Sequence, residues 1–226
     1  MSVARLKEIN LTIKADTPEE TEIAVMQYWV GYGLSCWHQL EQDLTMSYLL
    51  LTCPAGSPVD GPMASFQQIE TTDGKMRHLL KVLTQVLYQD ELAEFRTWAK
   101  QLINRLITLN GKRNKLAHGL AKLDYDGRPV FLPYFNWAQD YRYKAFTAHS
   151  TTPSTILAMP RWSATDLEKA ALELREGSIT SLTLVERLMA LFEDKRPVLE
   201  KAKRMTLDRG LPYDLSPPEI GPPLGR

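Results

Sequence analysis

Residues 23–44, I-A-V-M-Q-Y-W-V-G-Y-G-L-S-C-W-H-Q-L-E-Q-D-L, carry apolar side chains at intervals of three and four positions. Side chains at these intervals lie on one face of an α-helix, so the segment is predicted to be an amphipathic helix. The pattern continues on both sides and predicts a helix over residues 18–51. Thr17 precedes it as a capping residue, with Pro18 in the first helical position and Glu20 three residues after the cap. A helix of this length predicts a mainly α protein.

Beyond this helix, the same intervals predict several shorter helices. Residues 53–63 contain three prolines and two glycines, a composition that indicates a loop. Asn110 and Gly111 predict a break or kink. Residues 112–118 then form a short helical segment, and Gly119 is the left-handed residue that ends it. The predicted helices cover residues 62–71, 75–89 and 91–109, one that begins at 163–166, and 179–207 with a break or a new first turn at Pro197.

After residue 120 the helical pattern gives way to short β-like runs. Asp126 and Gly127 stand between two of these runs, and Asp-Gly flanked by apolar residues is a strong signal for a β-hairpin. We therefore predict a mainly α fold, a helical bundle with a small β-hairpin insertion and additional C-terminal helices. The predicted parts are an extended lead-in (1–16), in which residues 9–14 form a short strand or extended backbone, a helical core (17–120), the hairpin and loops (121–160), helices that complete the same domain (161–208) and a disordered Pro/Gly-rich tail (209–226).

The composition argues against several classes of protein. Lys and Arg number 27, as do Asp and Glu, so the net charge is zero and the chain lacks an overall basic field for nucleic acid. No apolar run approaches the roughly 18 residues that a membrane span needs. The two cysteines, Cys36 and Cys53, are too few and too far apart for a zinc ribbon or a disulfide framework. We expect a protein of the reducing cytoplasm without membrane association, metal or cofactor.

The charges are unevenly distributed along the chain. Residues 75–122 contain ten basic and three acidic residues. Two interpretations of this excess remain open. The charges cover solvated helix faces, which is their usual role, or they form a stripe that attracts phosphate groups. In the second interpretation, Lys112 and Lys115 contribute weak substrate contacts.

A group of residues suited to acid–base chemistry lies in the stretch G-K-R-N-K-L-A-H-G at 111–119. On a helix Asn114 and His118 share one face, and Arg113 lies roughly 140° away, close enough for its long side chain to reach back. An imidazole exchanges protons near neutral pH, and a guanidinium holds a phosphate through two hydrogen bonds. Together they suit RNA cleavage without a metal. In the alternative interpretation His118 interacts with the carbonyl groups at a helix end, and Arg113 is a surface charge.

The stretch R-N-K-L-A-H-G at 113–119 resembles the motif of the HEPN superfamily. In that motif a polar residue, often Asn, follows the Arg, and four to six residues separate the Arg from the His. The resemblance implies a metal-independent endoribonuclease in which the ribose 2′-oxygen attacks the adjacent phosphate, leaving 2′,3′-cyclic phosphate and 5′-hydroxyl ends. It implies catalytic roles for Arg113, Asn114 and His118. It further implies a homodimer with two motifs facing one cleft, and a toxin or antiviral effector with an antitoxin or other regulatory protein.

Other features of the chain leave alternatives open. Some HEPN proteins are inactive and bind RNA, a nucleotide or a protein partner, and the neutral net charge favours such a non-catalytic module. One HEPN subgroup carries a modifiable Tyr two residues after the His, where this chain has Leu120, so that form of regulation is not expected. Glu41 and Asp43, on the first predicted helix, are candidates to reach the motif and tune Arg113 or His118.

Overall fold

The first helix, α1, begins at Pro18 and ends at Thr52. The computed structural model describes residues 17–124, 126–133, 161–198 and 200–202. This part of the chain is mainly helical with one small antiparallel sheet, so the predicted fold class is confirmed. The elements after α1 are α2 (Asp60–Gln67), α3 (Thr72–Val86), a 3-10 turn (Asp90–Leu92), α4 (Ala93–Ala117), β1 (Leu120–Leu123), β2 (Pro129–Leu132), α5 (Ala164–Leu191) and a second 3-10 turn (Glu193–Lys195).

Capping side chains set the starts of three helices. Thr17 Oγ1 accepts a hydrogen bond from the Glu20 N–H at 3.2 Å, as predicted for α1. Ser163 and Asp166 bond reciprocally at the start of α5: the Asp166 carboxylate accepts from the Ser163 N–H, and the Ser163 hydroxyl accepts from the Asp166 N–H. Thr71 caps α3 through the Gly74 N–H. The helix predicted over 62–71 therefore ends early, at Gln67, because Thr71 belongs to the next helix.

The break predicted at Asn110 and Gly111 was wrong, because α4 runs through both residues to Ala117. A glycine in a helix interior costs only about 1 kcal/mol relative to alanine, so buried neighbours can outweigh it. Leu109 and Leu116, on either side of the glycine, are both buried. Residues 112–117 are therefore the last turns of a long helix and not a separate segment.

The separate helices predicted from 163–166 and over 179–207 are also replaced by one helix, α5, which passes through Gly177 without a break. Gly177 allows close packing: a Cβ there would lie 2.8 Å from Cδ1 of Leu109 and 3.5 Å from Cδ1 of Leu40. The helix ends at Leu191. Residues 196–198 and 200–202 are helical again, so the break predicted near Pro197 is confirmed.

Several predictions fall outside the described residues. They are the strand at 9–14, the loops at 134–160, the end of the last helix at 203–207 and the tail at 209–226. No helix in the described ranges combines the length and the apolar character that a membrane-spanning segment requires.

The chain divides into two compact units, and each boundary within the described residues falls inside a helix. The first unit comprises Met1–Tyr32, Lys115–Ala170 and Asp214–Arg226, and the second comprises Gly33–Asn114 and Ala171–Tyr213.

The second unit brings together parts of all five helices. Its sections of α1, α4 and α5 meet at Gly177, where Leu40, Leu106 and Leu109 surround the glycine. α1, α2 and α3 meet through aromatic rings: Tyr48 of α1 stacks on Phe66 of α2 with ring centroids 4.5 Å apart, and the His78 ring of α3 lies 5.5 Å from that of Tyr48. Burial of these side chains stabilises the unit, since each large apolar side chain removed from water contributes about 1.5–3 kcal/mol.

The first unit contains the hairpin, whose predicted turn is confirmed. Leu120 pairs with Leu132 and Leu123 with Pro129. Gly127 adopts a φ of 75°, a value that glycine tolerates without strain. The ring of Phe131 is buried, and its backbone exchanges two hydrogen bonds with Trp162, at 3.0 and 2.9 Å. These bonds tie Trp162, two residues before the start of α5, to the hairpin.

Gly119 corrects another prediction. It does not adopt the left-handed conformation expected of a helix-ending glycine. Its role is steric, because a Cβ at this position would collide with the ring of Phe131, whose Cε2 would be only 2.8 Å away. Close approach of a buried aromatic ring, rather than a special φ, requires glycine after His118.

Candidate functional site

The motif at 113–119 lies at the C-terminal end of α4 and just beyond it. Arg113 and Asn114 are among the last residues of the helix, and His118 is the first residue after it. The boundary between the two units falls between Asn114 and Lys115. The two halves of the motif therefore have different surroundings.

In the second unit, Arg113 is half-buried and makes one hydrogen bond to a side chain. Its Nη1 donates to Oδ1 of Asn114 at 3.1 Å. Its Nε is buried and has no hydrogen-bond partner among the described residues. No carboxylate of the described chain forms an ion pair with it. A guanidinium that is not neutralised by a carboxylate retains its capacity to bind a phosphate group through charge-assisted hydrogen bonds.

Lys112, which precedes this pair, is engaged in an ion pair. Its Nζ contacts the Glu173 carboxylate of α5, and Arg105, two turns earlier on α4, contacts Glu176 at 2.8 Å. Arg77 pairs similarly with Asp73. Part of the excess of basic residues in 75–122 is therefore offset by acids that lie outside that segment of the sequence. For Lys112, Arg105 and Arg77, this result favours the interpretation that the basic side chains cover solvated helix faces, where each pairs with an acid.

In the first unit, His118 is exposed in the turn that follows α4. Leu116, two residues earlier, is buried and anchors the end of the helix. The Gly119 N–H donates to the Leu116 carbonyl at 3.4 Å, so the chain leaves the helix in a tight turn. The imidazole is thus accessible from solvent, which proton transfer to or from a large substrate requires.

Lys115 is the first residue of this part of the first unit. Its Nζ lies 5.7 Å from the centroid of the Trp162 ring, within the range of a cation–π contact. The side chain is half-buried. Lys115 thus packs on the aromatic residue that bridges to the hairpin, and its predicted contact with substrate remains a prediction.

The two carboxylates proposed to tune the motif bond to other residues of the second unit. Glu41 accepts hydrogen bonds from Trp37 Nε1, at 3.2 Å, and from the Thr72 hydroxyl. Asp43 accepts from Ser181 Oγ at 2.7 Å and from Gln39 Nε2 at 3.2 Å. Neither carboxylate contacts Arg113 among the described residues. Glu41 instead joins α1 to α3, and Asp43 joins α1 to α5.

Asp43 is the more deeply buried of these two carboxylates. Only 4% of its surface is exposed, and burial raises the pKa of the carboxyl group from 3.8 to about 6. The hydrogen bonds from Ser181 and Gln39 oppose that rise in pKa, and the negative charge of Glu186 adds to it. Sequence reasoning missed the role of Ser181. The only sequence signal was that small hydroxyl side chains, Ser178, Thr180 and Ser181, lie close together in one turn of α5.

Asp43→Asn is expected to stabilise the protein at neutral pH. Because the pKa is raised in the folded state, the folded protein holds a proton that the unfolded chain releases. Wild-type stability should therefore fall as pH rises from about 4 through about 6. At ~1.4 kcal/mol per unit of pKa, the difference between 3.8 and about 6 corresponds to ~3 kcal/mol. Asparagine carries no charge, so the protein no longer loses this free energy on ionisation. The Ser181 hydroxyl can accept a hydrogen bond from the asparagine side-chain N–H while it donates one to the Ser178 carbonyl.

Urea unfolding of the wild type and Asp43→Asn between pH 4 and 8 measures this effect. The stability difference should grow with pH and level off above about 7. Asp60→Asn replaces an exposed aspartate and should change stability by less than about 0.5 kcal/mol. A difference between wild type and Asp43→Asn that does not vary with pH would mean that Asp43 ionises normally.

Comparisons with protein-family models, with curated proteins and with solved structures find no match to this chain. The resemblance to the HEPN motif thus rests on residues 113–119 of the sequence.

Proposed function

We propose that the protein is a metal-independent endoribonuclease of the HEPN type. His118 acts as the general acid or base, Arg113 holds the phosphate, and Asn114 is the polar companion that positions the guanidinium. The observation that carries the proposal is the motif itself, with an exposed His118 and an Arg113 that no described carboxylate neutralises. Asn114 already bonds to one side of the guanidinium, so the fork is partly oriented before substrate binds.

The proposed reaction needs only proton transfer and charge stabilisation. The 2′-oxygen loses its proton and bonds to phosphorus, while the bond from phosphorus to the 5′-oxygen breaks and that oxygen gains a proton. An imidazole supplies one of these two proton transfers. The guanidinium stabilises the negative charge that builds on the non-bridging phosphate oxygens. The products are a 2′,3′-cyclic phosphate and a 5′-hydroxyl. The resemblance implies a homodimer, in which a second motif supplies further groups.

A second candidate function is a non-catalytic module that binds RNA, a nucleotide or a protein partner. Among these ligands the ion pair between Lys112 and Glu173 favours a protein partner, because a paired lysine attracts phosphate less strongly than a free one. The zero net charge points the same way. A defence or toxin role in the cytoplasm, controlled by an antitoxin or another regulatory protein, rests on the resemblance alone.

The test is incubation of purified protein with mixed RNA in EDTA, followed by identification of the product ends. Cyclic phosphate and 5′-hydroxyl ends from the wild type are expected. Cleavage that requires an added divalent metal, or products with 3′-hydroxyl ends, would contradict the proposed chemistry. Binding of RNA without cleavage would favour the second candidate.

Arg113→Lys is expected to lower cleavage by about 10²-fold or more, since lysine keeps the charge but not the planar fork that binds two phosphate oxygens. Initial rates in EDTA on one RNA substrate measure the effect. Arg105→Lys is the matched control, because Arg105 is an exposed arginine of the same helix outside the motif. Wild-type rates in Arg113→Lys would remove Arg113 from the proposed mechanism.

A further inference from the structure

The outward face of α5 in the second unit carries exposed apolar side chains. Leu172, Ile179 and Leu182 are 39%, 55% and 47% exposed. At 100° per residue, all three lie within about 80° of one another around the helix axis. They form an apolar strip, interrupted by Arg175, on a face that is normally polar in a surface helix.

The strip belongs to a longer row with a seven-residue repeat, here called the seam. Successive members are three and four residues apart, the spacing of positions a and d in a coiled coil. Two members are charged, the half-buried Arg175 and the exposed Glu186. Neither forms an ion pair within the described chain, whereas the neighbouring Glu176 pairs with Arg105. The members of the seam are Leu172, Arg175, Ile179, Leu182, Glu186 and Met189.

The seam is complementary to itself in the antiparallel direction. If two copies of α5 cross with a two-fold axis between Thr180 and Ser181, Ile179 faces the partner's Leu182. Arg175 then faces the partner's Glu186, and Leu172 faces the partner's Met189. Every layer is therefore either apolar or an ion pair. In a parallel arrangement Arg175 would face the partner's Arg175, and like charges would oppose association.

We propose that the seam is the contact surface of an antiparallel homodimer. The occupant is a second copy of this chain, because the two unpaired charges match each other across the two-fold axis. Residues 172–189 span about 26 Å of helix, a short contact at the low end of interface sizes, so the dimer should dissociate on dilution. The HEPN resemblance implies a dimer without naming its surface. The proposed surface does not depend on RNA cleavage.

Sedimentation equilibrium of the full chain without RNA, over a range of concentrations, tests the proposal. The wild type should associate to a dimer. Arg175→Glu and Glu186→Arg should each weaken the dimer at least tenfold, because each introduces two like-charge contacts per dimer. Glu94→Arg makes the same charge change as Glu186→Arg, but at an exposed position of α4, and should leave association unchanged. Circular dichroism checks that each variant is folded.

Mixing the two single variants provides the decisive measurement. One variant has an acidic seam and the other a basic seam, so an equimolar mixture should form a heterodimer about as tight as the wild-type dimer. The double variant Arg175→Glu/Glu186→Arg should likewise dimerise. A wild type that stays monomeric at every concentration would overturn the proposal. Single variants that dimerise like the wild type, or folded single variants whose mixture stays monomeric, would also overturn it.

Discussion

Replacing His118 with alanine is expected to lower RNA cleavage by about 10²- to 10⁴-fold, the usual contribution of a general acid or base. Folding should be preserved, since the side chain is exposed and lies just beyond the last residue of α4. Surface substitutions of this kind change stability by about 0.5 kcal/mol or less. The expected result is therefore a large loss of rate with an unchanged melting temperature.

Initial cleavage rates in EDTA and thermal unfolding, measured on the same preparations, check this prediction. His38→Ala is the matched control, because His38 is also exposed but lies on α1, outside the motif. Equal rates for the wild type and His118→Ala would assign the cleavage to another residue or to a contaminating nuclease. Unfolding of His118→Ala would instead assign His118 a structural role.

The elements that were predicted well have strong local signals. The predicted helix over 18–51 agrees with α1 to within one residue, because a cap, a first-turn proline and many turns of apolar periodicity all agree. The hairpin followed from Asp126 and Gly127 for the same reason, since the turn requires a residue that tolerates positive φ. The local sequence was sufficient to predict these two elements because capping, apolar spacing and turn residues determine the backbone conformation directly.

The errors arose where distant parts of the chain decide the structure. Gly111 was expected to break or kink a helix, and two separate helices were predicted from 163–166 and over 179–207, but α4 and α5 are each continuous. Close packing of Leu109 on Gly177 is a contact between helices that the local sequence does not encode. The hydrogen bond between Asp43 and Ser181 joins residues 138 positions apart. Sequence reasoning therefore identified the motif at 113–119 but not the buried polar contact or the exposed seam.

The glycine after His118 gives the second large expected effect, on stability. Gly119→Ala should destabilise the protein by about 3 kcal/mol, the upper part of the range for overpacking a buried site. The new methyl group would collide with the ring of Phe131. That ring has little freedom to move, since Phe131 is 1% exposed and its backbone N–H and carbonyl both form hydrogen bonds with Trp162. Urea unfolding measures the loss.

Gly111→Ala is the control, and it should change stability in the opposite direction, because Gly111 lies inside α4 and a Cβ there would meet open space. It should stabilise the protein by about 0.5–1 kcal/mol through higher helix propensity. A double-mutant cycle with Phe131→Leu locates the clash. If the ring causes it, the two substitutions together should cost less than the sum of their separate effects, with a coupling of about 1–3 kcal/mol. Additive effects would mean that the cost of Gly119→Ala comes from the backbone and that the turn after His118 needs glycine for a different reason.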